Sequence, residues 1–383
     1  MRGKVYVLIT IYKIKKMIEK TKITQYILGR QLINYDDVRG KYIHFDEHLH
    51  DLIRLGQAKR FETPLSVHWA VTLRCNLACK HCYAYGNRKQ TDLNTEQCKH
   101  ILDVLKEYNC FDIAFEGGEP FYREDFEEIL SYAKKKKFVV DILTNGTLIN
   151  KQKARTIIEI LDAEIDRIQV SIDGSKKEND FIRGEEAYYK TLQGLENLKD
   201  FPNVTVNTVV TNTNIDSLDT MCNEVFNVCD VKFVHLSPLI SVDRSKGRLS
   251  LPEIEHAIDV FINLREKYGQ KISGSTVPDR LLFAQFEEYI PEQYKKCLIL
   301  GCCAGRSKMY INADGSISPC AFLNAKNLRY ELPLEQFLET VWPNAWNDLV
   351  ERNYRLSQKY SESKCYYDFC PGFGADENGK TRM

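Results

Sequence analysis

Three cysteines, Cys75, Cys79 and Cys82, share one loop with the spacing CxxxCxxC. Thiolates are the usual ligands of iron-sulfur clusters, and a four-iron cluster normally takes four of them. Three thiols in one compact loop therefore suggest a cluster with one iron left open to an outside ligand. The spacing predicts a metal centre whose chemistry takes place at that open iron.

Other uses of these thiols fit the sequence less well. A structural zinc knuckle would need a fourth ligand close by, and His81 lies between two of the thiols rather than at a usual ligand spacing. A disulfide framework is disfavoured because the chain has 13 cysteines, an odd number, at irregular spacings. The apolar run 5–12 lacks a signal-peptide cleavage pattern, and no segment approaches the length of a membrane span. We therefore expect reduced, partly metal-bound thiols in the cytoplasm.

Composition excludes a general affinity for polyanions. The 383 residues include 53 basic and 53 acidic side chains, so the formal charges cancel, and neither nucleic acid nor an anionic membrane is an expected partner. The lysine run 134–137 ends a helical pattern, where cations favour the helix C-terminus, and is interpreted as a solvated face. With 43% hydrophobic residues the chain has material for a sizeable core and should divide into two or three units.

The elements that must position the cysteine loop form a repeating pattern. Between residues 66 and 236, short β-rich runs alternate with amphipathic helical stretches, which indicates parallel strands with crossover helices. The predicted strands are Val67 to Leu73, Asp112 to Glu116, Phe138 to Leu143, Arg167 to Ile172, Val204 to Thr211 and Lys232 to Leu236. Six such units predict an α/β fold, a partial (βα)6 TIM-type barrel, in which active groups gather at the carboxyl ends of the strands.

Short motifs follow four of these strands in order. The cysteine loop follows the first, Gly117-Gly118-Glu119-Pro120 the second, Thr144-Asn145-Gly146 the third and Ser171-Ile172-Asp173-Gly174 the fourth. Each motif after the cysteine loop is weak alone, because glycine, asparagine and aspartate also form ordinary turns. Arg183 could pair with a carboxylate of a ligand, although an exposed position is commoner for arginine. The order and the positions of the motifs, rather than any one of them, indicate a site.

This order resembles the radical S-adenosylmethionine enzymes over about residues 66–236. In that family three cysteines bind a four-iron cluster, and its open iron takes the amine and carboxylate of S-adenosylmethionine, which is cleaved reductively to a 5′-deoxyadenosyl radical. The resemblance implies Cys75, Cys79 and Cys82 as cluster ligands. It also implies these cofactor contacts: Gly117, Gly118 and Glu119 at the methionine amino group, Ser171 and Arg183 at its carboxylate, Asp173 on the ribose side and His81 near the adenine.

The other cysteines fall into two groups. Cys98, Cys110, Cys222 and Cys229 lie in helical or strand patterns and are interpreted as core packing. The C-terminal group lies around a predicted hairpin that turns at Asp314-Gly315. It resembles the SPASM and twitch extension, which implies an auxiliary four-iron cluster held by Cys302, Cys320, Cys365 and Cys370, with Cys303 as the alternative to Cys302 and Cys297 as a further candidate. A full SPASM domain has seven cysteines and two auxiliary clusters, so this chain departs from the pattern, and one auxiliary cluster is expected.

We expect four segments: an N-terminal extension 1–62 that could hold a peptide, a barrel core 63–240, a helical connector 241–294 and a SPASM/twitch-like domain 295–383. The resemblance implies a peptide or protein substrate that is crosslinked or oxidised, and a reductant such as flavodoxin or ferredoxin. Chemistry on a small molecule or tetrapyrrole, oxidation of a protein residue as in sulfatase maturation, and a non-catalytic electron carrier remain the alternatives. No catalytic side chain is assigned; the acid-base candidates are Glu116, Asp173, His235 and Asp243.

Overall fold

Parallel β-structure dominates the computed structural model of the chain. The structure describes residues 23–28, 31–36, 41–42, 60, 63–84, 91–239, 251–274, 304–323 and 326–351. An N-terminal antiparallel sheet consists of β1 (Ile23–Leu28), β2 (Gln31–Asp36) and β3 (Lys41–Tyr42), paired in that order. It is separate from the larger sheet that positions the cysteine loop.

The larger sheet has nine strands in the order β10-β9-β8-β7-β6-β5-β4-β11-β12. Its strands are β4 (Ser66–Thr72), β5 (Asp112–Gly117), β6 (Val139–Thr144), β7 (Arg167–Ser171), β8 (Val204–Val210), β9 (Val234–Pro238), β10 (Ile272–Gly274), β11 (Lys308–Ile311) and β12 (Ile317–Ser318). Every neighbouring pair from β10 to β11 is parallel. Within the described residues the edge strands β10 and β12 do not pair, so the sheet is an unclosed partial barrel. The predicted fold class and all six predicted strands are confirmed.

Helices connect successive strands, as parallel pairing requires. They are α1 (Thr95–Glu107), α2 (Phe126–Lys135), α3 (Lys151–Ile160), α4 (Lys176–Arg183), α5 (Ala187–Asn197), α6 (Leu218–Val228) and α7 (Leu251–Tyr268). Helix α1 begins at a capping box in which Asn94 and Gln97 satisfy each other's backbone amides. The Asn150 side chain caps α3 by accepting from the Lys153 amide. Short 3-10 turns lie at Pro120–Tyr122, Ile215–Ser217, Gly269–Lys271, Lys326–Leu328 and Trp342–Asn344, and a π-helical turn at Phe337–Val341 follows one α-turn, Leu334–Gln336.

The two faces of the large sheet differ in chemistry. Fully buried apolar residues such as Trp69, Phe115 and Ile142 pack on the face that is covered by the helices. Alternate positions on the same strands carry polar side chains such as His68 and Glu116, which face the inside of the barrel, because successive side chains of a strand point to opposite faces. The inside of the barrel therefore carries charged groups that have no part in the packing of the apolar core.

The C-terminal hairpin is part of the barrel sheet. Strands β11 and β12 pair antiparallel, and Gly315 in the turn has a φ of +85°, so the predicted hairpin is confirmed. Strand β11 also pairs in parallel with β4, and Trp342 joins the same apolar core as Trp69. The segment 241–294 contains α7, as expected of a helical connector, but also β10, which extends the sheet beyond the six predicted strands. The proposed domain boundaries remain predictions.

Several predicted residues lie outside the described part of the chain. They are Cys297, Cys302, Cys303, Cys365 and Cys370 of the C-terminal cysteine group and the acid-base candidate Asp243. Within the described residues, no helix is long and apolar enough to cross a membrane.

Candidate functional site

The cysteine loop leaves the carboxyl end of β4 and places Cys75, Cys79 and Cys82 beside one another. All three thiols are half-buried, and none is in a disulfide. The loop is held by backbone contacts: the Cys82 amide donates to the Cys79 carbonyl at 3.1 Å, and the Lys80 amide donates to the carbonyl of Ile182 in α4 at 2.9 Å. The loop is therefore anchored both within itself and to the far side of the barrel mouth.

The electrostatics of the thiols fit a cationic metal cluster. Burial raises the pKa of Cys79 to about 11; the charge of Arg183 opposes this rise, and the neighbouring Cys82 and Cys75 reinforce it. A buried thiol beside two others needs a positive partner to become a thiolate, and a bound metal supplies one. Among the described residues, no three His, Cys, Asp or Glu side chains converge as ligands of a single metal ion would. A four-iron cluster makes a different demand, because each thiolate binds its own iron.

The turn after β5 packs directly against the start of this loop. A Cβ atom on Gly117 would lie closer than 3.0 Å to the Thr72 carbonyl oxygen, and one on Gly118 would lie that close to the Arg74 carbonyl oxygen. Gly117 also has a φ of +115°, which favours glycine. The amides of Gly118 and Glu119 donate to those same carbonyls of Thr72 and Arg74, at 2.8 and 2.9 Å. The two glycines therefore fix the backbone just before Cys75.

The Glu119 side chain points into the protein rather than into the barrel mouth. It is fully buried, and its carboxylate accepts hydrogen bonds from the Thr144 hydroxyl at 2.7 Å, the Asn145 amide at 2.7 Å and the Phe121 amide at 3.2 Å. Burial raises its pKa to about 7, against the effect of these donors. Glu119 thus joins the turns after β5 and β6.

Asn145 contacts the cysteine loop, although its sequence context alone predicts only a turn. Its side-chain amide donates to Asn76 Oδ1 at 3.0 Å and lies 3.8 Å from Cys75 Sγ. The Leu77 amide donates to the same sulfur at 3.4 Å. Hydrogen bonds to cysteine sulfur tune the reduction potential of a cluster. The position of Asn145 directly after a strand was the available signal for this role.

On the opposite side of the loop, Asp173, His81 and Arg183 form one ionic group. Asp173 is fully buried; its Oδ2 lies 2.6 Å from His81 Nε2 and 2.7 Å from an Arg183 terminal nitrogen, and its Oδ1 accepts from the Val209 amide at 2.8 Å. Burial alone would raise the pKa of Asp173, but the charges of Arg183 and His81 outweigh it and hold the pKa at about 2. The structure brings these three predicted residues together, and protein groups engage both oxygens of Asp173.

Two donors beside Asp173 lack partners. Among the described residues, Arg183 Nε and Asn179 Nδ2 are buried side-chain nitrogens without a hydrogen bond, and both lie on α4. Buried polar atoms are almost always paired, so each exception calls for an explanation. The Arg183 charge also acts on Cys79 and Cys82, which places the guanidinium beside the cysteine loop. An anionic, hydrogen-bonding ligand next to these cysteines would satisfy this donor set.

Ser171 ends β7 in register with Asn207 of β8, whose side-chain oxygen accepts from Ser237 of β9 at 2.8 Å. These residues form a polar row across β7, β8 and β9, and Ser171 is half-buried there. His235 of β9 is in register with Asn207, and burial and the charge of Arg167 lower its pKa to about 4. The acid-base candidate His235 is therefore held in its neutral form.

Glu116 belongs to a second polar group on the inner face of the barrel. Its Oε1 lies 2.5 Å from His68 Nδ1, and its Oε2 accepts from the Tyr83 hydroxyl at 3.0 Å. His68 Nε2 in turn lies 2.8 Å from Lys308 Nζ, and the Tyr83 hydroxyl lies 3.4 Å from that of Tyr310. The sequence did not indicate this group, because three segments besides β5 contribute its members: β4, the cysteine loop and β11.

Cys320 is the one predicted auxiliary ligand within the described residues, and it follows β12. It is half-buried, and Tyr310 interacts electrostatically with both Cys320 and Cys82. The hairpin thus brings a cysteine of the C-terminal segment to the same tyrosine that contacts the first cysteine loop.

Comparisons with known proteins agree with this geometry. Residues 69–225 match the radical SAM superfamily, and residues 302–371 match SPASM, an iron-sulfur cluster-binding domain. The AdoMet-dependent heme synthase of Oleidesulfovibrio alaskensis is 27% identical over 330 residues, which is 80% of this chain and 81% of that protein. The mycofactocin maturase MftC of Mycolicibacterium smegmatis is 36% identical over 162 residues, which is 41% of each.

Solved structures share the fold. Streptococcus suis SuiB superimposes with a TM-score of 0.63 at 13% identity, over 91% of this chain and 93% of SuiB. SuiB bound to its precursor peptide SuiA superimposes with a TM-score of 0.61 at 17% identity, over 77% of this chain and 69% of SuiB. At these identities the similarity establishes the architecture alone.

Proposed function

We propose, because this chain belongs to the radical S-adenosylmethionine superfamily and carries a C-terminal SPASM domain, that Cys75, Cys79 and Cys82 hold its catalytic four-iron cluster. When bound, the cluster and S-adenosylmethionine supply a 5′-deoxyadenosyl radical that abstracts hydrogen from a substrate. The protein's part is to bind and orient the cofactor and to keep water and competing hydrogen donors away. The half-buried thiols at the barrel mouth suit that part.

The observation that carries the cofactor assignment is the unpartnered Arg183 Nε beside the cysteines. A guanidinium binds a carboxylate through paired hydrogen bonds, so we assign Arg183 and Ser171 to the methionine carboxylate. The backbone of the 117–119 turn is assigned to the amino group. Asp173 becomes a positioning residue instead of a ribose contact, because its oxygens already hold Arg183, His81 and the Val209 amide.

The SPASM segment is proposed to hold one auxiliary four-iron cluster. Its ligands would be Cys302, Cys320, Cys365 and Cys370, of which Cys320 lies beside the barrel sheet on the β11–β12 hairpin. A cluster with four protein thiolates is closed to substrate and serves electron transfer. The electron that begins each turnover would come from a reductant such as flavodoxin or ferredoxin.

A ribosomally synthesised peptide is the proposed substrate. MftC is a maturase by name, and SuiB was solved with a precursor peptide. The N-terminal sheet supports the same proposal: β1 is an edge strand of six residues, and an extended peptide can add to such an edge through backbone hydrogen bonds. The expected product is a peptide that has lost a pair of hydrogens through crosslinking or oxidation.

An iron porphyrin is the second candidate substrate. The heme synthase match covers 80% of this chain, about twice the share that MftC covers. The charged inner face of the barrel, with Arg167 paired to Asp141, could receive a propionate as well as a peptide. The two candidates predict different products, so one experiment separates them.

In that experiment the anaerobically reconstituted, reduced protein is incubated with S-adenosylmethionine and either peptides encoded beside its gene or an iron porphyrin. Deoxyadenosine is quantified by chromatography, and the substrate is examined by mass spectrometry. A peptide that loses a hydrogen pair in step with deoxyadenosine formation supports the first proposal, and a change in porphyrin mass supports the second. Failure to form deoxyadenosine with either class or without substrate would refute the radical chemistry itself.

A further inference from the structure

A continuous chain of polar contacts runs along the inner face of the barrel. Lysine has donors and no acceptor, so Lys308 Nζ donates to His68 Nε2, at 2.8 Å. His68 Nδ1 must then carry the proton and donate to Glu116 Oε1, at 2.5 Å. The other oxygen of Glu116 accepts from the Tyr83 hydroxyl at 3.0 Å, and the Tyr310 hydroxyl lies 3.4 Å beyond.

This chain ends beside Cys82 of the first cysteine loop and Cys320 of the C-terminal hairpin. Tyr83 directly follows Cys82, and Tyr310 interacts electrostatically with both Cys82 and Cys320. Tyr310 is 2% exposed, and it shares a small apolar cluster with Ala70 and Ala313, against which Cys82 and Ala321 also pack. Phe322 meets the Tyr83 ring edge-on at 5.3 Å. Among the described residues, the Tyr310 ring and the Glu116 carboxylate therefore lie in buried, largely apolar surroundings beside Cys82.

The Glu116 carboxylate keeps its charge in these buried surroundings. Burial opposes ionisation, but His68, Tyr83 and Lys308 outweigh it and lower the pKa of Glu116. A charge in a region of low dielectric acts over longer distances than one in water. The potential of an iron-sulfur cluster responds to nearby charge and to hydrogen bonding around its sulfurs.

From this geometry we infer that Glu116, Tyr83 and Tyr310 form a shared positioning group that sets the reduction potentials of both clusters and couples them electrostatically. The inference rests on the proposed function, since it requires a cluster at each cysteine site. It adds a role for residues that make no contact with the proposed cofactor-binding group around Asp173. It also explains why β11 pairs with β4: that pairing places Tyr310 opposite His68.

The test is a redox titration of the reconstituted holoenzyme, followed by electron paramagnetic resonance, with S-adenosylmethionine added to mark the signal of the first cluster. Glu116→Gln should raise both midpoint potentials, because reduction adds negative charge that the carboxylate disfavours. Asp141→Asn is the matched control, since Asp141 lies on the same inner face but pairs with Arg167 instead of this chain. It should move both potentials less than Glu116→Gln does.

Tyr310→Phe is the second variant, in case Glu116→Gln does not retain both clusters. It keeps the ring and removes one hydroxyl, so both potentials should shift in the same direction, whereas the exposed Tyr189→Phe should leave them unchanged. Unmoved potentials, or movement of only one, would overturn the inference while the proposed function stands. A wild-type protein that reconstitutes a single cluster would instead refute the auxiliary site, and the inference with it.

Discussion

Two buried carboxylates flank the cysteine loop, and they are held in different ways. Asp173 is fully buried and pairs with Arg183 and His81, and this arrangement leaves Arg183 Nε without a partner. Glu116 is 9% exposed, and its oxygens are satisfied by His68 and Tyr83. One group thus has an unpaired donor near Cys79 and Cys82, whereas the carboxylate of the other has partners for both oxygens.

This difference in hydrogen bonding indicates different roles: cofactor binding for the Asp173 group and positioning for the Glu116 group. A buried donor without a partner costs free energy that a ligand can recover, so the Asp173 group is suited to hold a cofactor. A satisfied network gives nothing to a ligand directly, but it fixes charge and shape around the metal. The same residue types, a carboxylate with a histidine and a cation, therefore serve two purposes within one barrel mouth.

The largest effect is expected from removing the cysteine loop's thiols, which both carboxylate groups flank. Replacing Cys75, Cys79 and Cys82 together by alanine should abolish formation of deoxyadenosine. Iron per chain should fall from about eight to about four, because the auxiliary cluster remains. Iron analysis after anaerobic reconstitution provides the measurement, and an unchanged iron content would contradict the ligand assignment.

The second prediction tests the comparison directly. Asp173→Ala leaves the Arg183 charge buried without its counter-ion, so the free energy of unfolding should fall by about 3–5 kcal/mol, and the affinity for S-adenosylmethionine should fall as well. Glu116→Gln should leave that affinity within a factor of about two, an effect well under 1 kcal/mol. Denaturant unfolding and equilibrium binding measure the two quantities. Equal losses of affinity would show that the two groups do not differ in role.

Glu119 provides a third buried carboxylate, whose burial is only partly compensated by its hydrogen bonds and by the charge of Lys153. Its folded pKa of about 7 lies above the ordinary 4.5, so its stabilising contribution is present below pH 4.5 and is lost as pH rises through 7. The loss is on the order of 3 kcal/mol. Unfolding free energies of the wild type and Glu119→Gln, measured from low to neutral pH, should therefore diverge as pH rises, in favour of the variant. Parallel curves would contradict a raised pKa.

The glycine turn allows a matched pair of substitutions. Gly117 and Gly184 have φ values of +115° and +119°, but only Gly117 has atoms within 4 Å of the place a Cβ would take. Both alanine variants pay the conformational cost of about 1 kcal/mol, and Gly117→Ala adds a steric cost of about 1–3 kcal/mol. Gly117→Ala alone should also lower iron incorporation, because its neighbour Thr72 leads into the cysteine loop. Equal iron content in both would argue against that role of the turn.

The smallest predicted effect refines the role of the arginine. Arg183→Lys keeps the charge that Asp173 needs but loses the planar pair of donors. Affinity for S-adenosylmethionine should fall roughly tenfold, about 1.4 kcal/mol, while stability changes little. Isothermal titration under anaerobic conditions tests this. A tight-binding lysine variant would mean that only the charge matters.

The sequence predicted the parts of the fold that local patterns encode. The six alternating β-rich runs became β4 to β9 with boundaries shifted by one or two residues. Strand β10 was missed because it has three residues, too few to show a period. The pairing of β11 with β4 was missed because Lys308 and Ser66 lie far apart in the chain, and no local pattern specifies such a register.

In the candidate site, too, the sequence predicted the parts that local patterns encode and missed the contacts between distant segments. Spacing identified the cysteine loop and the glycine turn, because both are continuous in sequence. His81 and Arg183 were predicted as separate cofactor contacts. Their contact with Asp173 depends on the approach of α4 to the loop. The direction of the Glu119 side chain and the role of Asn145 depend on the packing of neighbouring turns. Such contacts follow from tertiary structure alone.

We propose that the first three cysteines hold a cluster whose open iron binds S-adenosylmethionine. The decisive measurement is electron paramagnetic resonance of the anaerobically reconstituted, reduced Cys320→Ala variant, which should retain only that cluster. We expect the cluster signal to change on addition of S-adenosylmethionine and the change to be weaker when Asp173→Ala is added. A reduced cluster whose signal is the same with and without the cofactor would contradict it.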